Sequence, residues 1–166
     1  MALVSVALTG WVVVREAGSG LGAGGAVASS AGSGDDERSG PERARAVLRE
    51  WDARRAAAWA SGSLRGLRGL YVDGSPAGRA DARMLASYVD RGLVVRGLRT
   101  QVLALRVLGS SAGRLRLRVT DRLVGGEAVT RDGREVRLPV DRATVREVEM
   151  RRVAGEWRVL SVRDAR

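Results

Sequence analysis

Between Arg114 and Val119 the chain alternates charge and hydrocarbon without a break: Arg114, Leu115, Arg116, Leu117, Arg118, Val119. Successive side chains on a strand point to opposite faces, so this period reads as a strand with one buried and one solvated face. The inward set is Leu115, Leu117, Val119 and, in phase, Asp121 and Leu123. Gly125-Gly126 is expected to loosen the chain. Arg131-Asp132-Gly133-Arg134 reads as a tight hairpin, since an Asp-Gly pair accepts the positive φ angles of a two-residue turn. Val136, Leu138 and Val140 alternate on the return, and Pro139 puts that piece at an edge or a bulge. Thr144 to Val153 and Glu156 to Val162 give two further strands joined at Ala154-Gly155, with Trp157 pointing inward beside Val159.

The segments before the sheet supply its cover. Ser39 with Glu42 forms a capping box and Pro41 suits a first turn, which predicts a helix over Pro41 to Ala60. Its apolar face carries Val47, Leu48, Trp51, Ala58 and Trp59, interrupted by Arg54 and Arg55. Leu64, Leu67, Leu70 and Tyr71 predict a short second helix, stopped by Asp73-Gly74-Ser75-Pro76. Met84, Leu85, Tyr88 and Val89 predict a third over Arg79 to Arg91, with Gly92 as its C-terminal glycine. Leu93 to Leu108 is apolar on both faces, as in a central strand or one at a dimer interface, and Gly97 marks a break. Helices followed by strands predict an α+β fold: three N-terminal helices packed on a curved, mostly antiparallel, cone-shaped sheet.

The N-terminus differs in character. Met1 to Val14 is apolar apart from Ser5, Thr9 and Gly10, short of the roughly 20 residues of a spanning helix and without a basic leader. It is the end of a membrane anchor that starts upstream, a signal-peptide core with Ala26-Val27-Ala28 as cleavage site, or a buried element; the first two are favoured. Residues 1–16 are thus assigned to an anchor or signal, 17–40 to a flexible Gly/Ala/Ser linker and 41–166 to the folded domain. That layout predicts a domain at the cell membrane and outside the cytoplasm, or exported.

Composition removes several chemistries. The 166 residues contain no Cys and no His, which excludes disulfides, thiol chemistry and His-based nucleophile pairs and removes most zinc sites. No cofactor or metal motif is present. The net charge is +10 and every basic residue is Arg. A chain selected for phosphate contacts would mix Lys with Arg, so the pattern points to a coding bias more than to nucleic acid. The outward row Arg114, Arg116, Arg118 and Arg122 has no interleaved aromatics for base stacking, so nucleic acid is an unlikely partner.

The long first helix with Trp51 and Trp59, the Leu67-Leu70-Tyr71 segment and the closing Gly155-Glu156-Trp157-Arg158-Val159 resemble the nuclear transport factor 2-like superfamily. Its cone-shaped fold is shared with SnoaL-like cyclases and ketosteroid isomerases. The resemblance covers about Pro41 to Val162, and it is similar in layout to membrane-tethered bacterial members. It implies a binding or assembly module as often as an enzyme. The enzymes hold a carboxylate base and hydrogen-bond donors inside the cone. Here the candidate base is Asp121, with Tyr71 and Tyr88 as candidate donors; a carboxylate in an apolar cavity would have the raised pKa that proton transfer needs. The bland alternative leaves Asp121 solvated or paired with Arg at the end of the core. The cyclases' aspartate–histidine pair has no match. The expectation is a non-catalytic binding or assembly module that meets a protein partner or itself through the sheet, with a small apolar ligand in the cone as a further option. The alternative is an isomerase- or cyclase-type enzyme using Asp121.

Overall fold

The computed structural model describes residues 34–165. These form helices α1 (Gly34–Ser61), α2 (Leu64–Arg68) and α3 (Pro76–Asp90), then strands β1 (Leu93–Ser110), β2 (Arg114–Thr130), β3 (Glu135–Arg137), β4 (Thr144–Val153) and β5 (Glu156–Asp164). All strand pairings are antiparallel. The sheet order is β1-β2-β4-β5, with β3 added to the far end of β2. The helices cover one face, which is the α+β arrangement that the sequence predicts. The expected anchor or signal segment lies outside the described residues.

The alternation in β2 sets the inside of the molecule. Leu115, Leu117, Val119, Asp121 and Leu123 are buried, whereas Arg114, Arg116 and Arg118 are exposed. Opposite them α1 presents Ala44, Leu48, Trp51, Arg55, Ala58 and Trp59, all buried and spaced at helical intervals. A joint ties the two layers at Leu70. Its carbonyl accepts from Trp51 Nε1 (2.8 Å) and from Val159 N (3.0 Å), and Val72 N donates back to Val159 O (2.9 Å).

Several local expectations are corrected. The first helix begins at Gly34, so residues 34–40 of the expected linker are helical and Ser39 is not its cap. Pro41 lies inside α1; a proline forfeits one N–H and crowds the preceding turn, a small loss near the start of a 28-residue helix. The third helix begins at Pro76 rather than Arg79, because Ser75 accepts from Gly78 N (3.2 Å) as its N-cap and Pro76 takes the first turn. The segment that stops one helix therefore starts the next.

The Leu93–Leu108 segment is an edge strand, not a central one. Its two-sided apolarity divides along its length: Val95 and Leu98 are buried, while Val102 and Leu103 are exposed. Gly97, at φ +63°, kinks β1 without ending it. Gly125-Gly126 does not loosen β2 either, which runs through to Thr130. Gly126 instead lets Leu138 dock, since a Cβ there would lie 2.9 Å from Leu138 Cδ1. The hairpin after β2 closes over three residues: Thr130 N donates to Arg134 O (2.9 Å), and Gly133 but not Asp132 takes a positive φ. Beyond it Leu138 is buried but Val136 and Val140 are exposed, because β3 is too short to hold the alternation. In β5 the register shifts opposite Glu149/Met150, so Val159 and Val162 are both buried three residues apart. Trp157 is half-buried against the core rather than within it.

Candidate functional site

Two ion-pair systems occupy the space between α1, α3 and the sheet. In the first, the Asp81 carboxylate of α3 accepts four hydrogen bonds. Arg55 of α1 donates twice, Nε to Oδ2 (2.7 Å) and Nη2 to Oδ1 (2.8 Å); Trp59 Nε1 donates to Oδ1 (3.3 Å) and Tyr71 OH to Oδ2 (2.7 Å). All four residues are buried. Burial alone would lower the Arg55 pKa, but the Asp81 charge and its hydrogen bonds outweigh it and hold the guanidinium above its ordinary value. Burial, followed by the Asp81 charge, pushes the Tyr71 phenol well up. Gly78 makes room for this phenol, since a Cβ there would sit 2.6 Å from the ring.

The second system is the pair Asp121 of β2 and Arg146 of β4, joined by a charge-assisted hydrogen bond with both residues buried. Burial lowers the Arg146 pKa against the raising effect of Asp121. A third carboxyl, Asp52 of α1, faces a cleft of about 660 Å3 between α1 and the β1–β2 pair. Thr100 Oγ1 donates to Asp52 Oδ1 at 3.4 Å. Burial raises the Asp52 pKa, opposed by Arg55 and Thr100, and the nearby Asp121 adds to the rise. The cleft wall also carries Arg49, Arg99 and Arg122, the last donating to Gln101 Oε1 (3.0 Å).

The candidate base is thus inside the fold, as its phase in β2 implies, but its expected donors work elsewhere. Tyr71 serves Asp81. Tyr88 packs edge-to-face on Trp59 (5.4 Å, 80°) with the Arg91 guanidinium 4.8 Å over its ring. Of the two alternatives for Asp121, solvated or paired with Arg, the structure shows the second, in a buried setting. Sequence reasoning missed Arg55, Asp81, Arg146 and Asp52. The signal was there for three of them: Arg55 falls in phase with Trp51 and Trp59, Asp81 with Leu85 and Tyr88, and Arg146 with Val148 and Met150. A charge in an apolar phase needs a buried partner. Among the described residues no group of three or more acidic side chains gathers as a metal site, and no helix is long and apolar enough to cross a membrane.

No family model matches the chain. No curated protein matches it either. Among solved structures it is similar to the intermembrane space region of the chloroplast protein ARC6, at 16% identity and TM-score 0.52, covering 75% of this chain and 97% of that one. It is also similar to Rv3472 of Mycobacterium tuberculosis, a protein of unknown function, at 13% identity and TM-score 0.51 over 80% of this chain and 75% of that one. A conserved protein from Planctomyces limnophilus matches at 13% identity and TM-score 0.51 over 74% and 95%. At these identities the likeness shows the fold alone, helices packed on one face of a mostly antiparallel sheet.

Proposed function

We propose that this chain is a non-catalytic binding or assembly module that meets a protein partner through its sheet, tethered at the membrane or exported by its N-terminal segment. The observation that carries the reading is the pairing of Asp121 with Arg146 inside the core. A general base must reach a substrate proton and be free to accept it. Asp121 instead neutralises a buried guanidinium, and Tyr71 is bonded to a second buried carboxylate. The ARC6 likeness gives only the fold.

The test is a titration of the full chain with an apolar fluorescent probe, 8-anilinonaphthalene-1-sulfonate, followed by amide chemical-shift mapping. A packed interior leaves the Asp121, Arg55 and Tyr71 amides unmoved. Saturable shifts at those three positions would show a ligand-accepting cone and return the enzyme reading. One observation favours that second reading in altered form: Asp52 has a raised pKa and lines an open cleft.

A further inference from the structure

We propose that the outward face of the sheet is a docking surface for an acidic protein partner; this rests on the binding-module reading and gives that partner its chemistry. The helices cover the inward face; on the outward face Arg106, Arg114, Arg116, Arg118, Arg151 and Arg163 are exposed, and Glu147, Glu149 and Arg158 are half-buried among them. Strand register arranges them in rows. Arg106 lies opposite Arg118, which lies opposite Glu147, which lies opposite Arg163. The row holds one carboxylate to three guanidinium groups, and that carboxylate bonds Arg118 at 2.8 Å. In the next-but-one row Arg114 lies opposite Arg151, and Arg151 opposite Arg158, with no acid among the three. Arg114 reaches sideways to Glu149 (2.7 Å) and Arg158 along its own strand to Glu156 (3.8 Å), so Arg151 stands between two guanidinium groups that draw on acids outside the row.

Like charges placed directly opposite on neighbouring strands destabilise a sheet. A coding bias decides that a basic residue is Arg rather than Lys; it does not set Arg against Arg in register. The arrangement makes sense where a partner supplies the missing charge. A second copy cannot supply it, because a two-fold contact through this face would bring the same positive rows together. Carboxylates suit the guanidinium fork, which pairs with them through two parallel hydrogen bonds. Trp157, the single aromatic residue of the strands, packs on the inward side, so the face has nothing on which a nucleobase could stack.

The experiment uses the full chain and a fluorophore-labelled poly-L-glutamate of about 20 residues, with anisotropy read at about 50 mM and about 300 mM salt. Binding is expected at low salt and to weaken steeply at the higher value. Arg118→Glu and Arg151→Glu should each weaken it about tenfold or more, whereas Arg65→Glu and Arg68→Glu, the same charge change on the exposed surface of α2, should change it by about twofold or less. Arg151→Glu should also raise the melting temperature, since it replaces two like-charge contacts by attractive ones; Arg106→Glu, which faces Arg118, gives a second reading of the same effect. Equal losses in the α2 variants would reduce the effect to net charge and overturn the proposal. So would a lower melting temperature in both Arg151→Glu and Arg106→Glu, or a homodimer that Arg118→Glu dissociates. Tighter binding to duplex DNA or to anionic phosphatidylglycerol vesicles, lost in the same face variants, would also overturn it. The interior-probe titration is independent of these readouts, so the module reading can stand or fall separately.

Discussion

Asp121 and Arg146 meet diagonally across adjacent strands, Arg146 lying opposite Val119, with side chains 3% and 4% exposed. Each is the other's justification for being inside. A buried carboxylate or guanidinium alone would face a desolvation cost of several kcal/mol, and the pair lowers it only while both members are present. Arg146→Met should therefore destabilise the domain by about 3–5 kcal/mol, the range for breaking a buried pair. Urea unfolding at unchanged slope is the measurement. A variant as stable as the parent would mean that Asp121 does not depend on Arg146.

The Asp81 cluster can be taken apart stepwise. Tyr71→Phe removes one donor to a charged acceptor and should cost about 1.5–3 kcal/mol. Asp81→Asn strips Arg55 of its countercharge and should cost more, about 3–5 kcal/mol. If the order were reversed, the phenol and not the ion pair would be the main tie between α1 and α3.

Asp52 gives a pH signature of opposite sign. Its folded pKa lies above its unfolded value, so ionisation at neutral pH opposes folding. Asp52→Asn keeps an acceptor for Thr100 and removes the charge. It should stabilise the domain at pH 7, with an advantage that shrinks as pH falls through the raised folded pKa and is gone below the ordinary carboxylate value. Melting temperatures of both proteins across that range test this. A gap that persists in acid would place its origin elsewhere.

The tryptophans separate by depth. Trp51, 2% exposed and bonded to Leu70 O, should cost about 3–5 kcal/mol on truncation to Ala. Half-buried Trp157 should cost less, roughly 1–3 kcal/mol, in proportion to the smaller apolar area it removes from water. Equal losses would show that β5 depends on Trp157 more than its exposure suggests.

The last prediction concerns the N-terminus. If residues 1–16 are an anchor or signal followed by a linker, deletion of residues 1–33 should leave a folded domain with the thermal midpoint of the full chain. A large fall in that midpoint would make them part of the core.

Much of this fold can be read from one periodicity. The alternation from Leu115 to Leu123 names the inward face of β2 and places Asp121 inside. The helical spacing of Leu48, Trp51 and Trp59 names the face that covers it. What cannot be read is pairing across distance. Arg55 and Asp81 stand 26 positions apart, and Asp121 and Arg146 stand 25 apart, so each looks like a blemish in an apolar pattern until its partner is known. The position of β1 at the sheet edge is hidden for the same reason. Edge or centre is decided by which strands come later, and an apolar run such as Val102-Leu103 does not record it. Gly97 and Gly126 are visible as glycines, but whether a glycine ends a strand, bends it or admits a neighbour depends on what packs there.

The joint at Leu70 has a consequence for growth. Tyr71 bridges to Val159 in parallel, and the backbone bonds on either side of it occupy part of the outer rim of β5. At the opposite end of the sheet β1 pairs, among the described residues, with β2 alone, and no described strand bonds its other rim. β3 is three residues long and is followed closely by Pro139, a poor template. The sheet therefore has a valency close to one for added strands. Pairing at β1 can make a closed two-body contact, but a fibre needs two open rims on every subunit, and here the segment Leu70 to Val72 already occupies part of one of them.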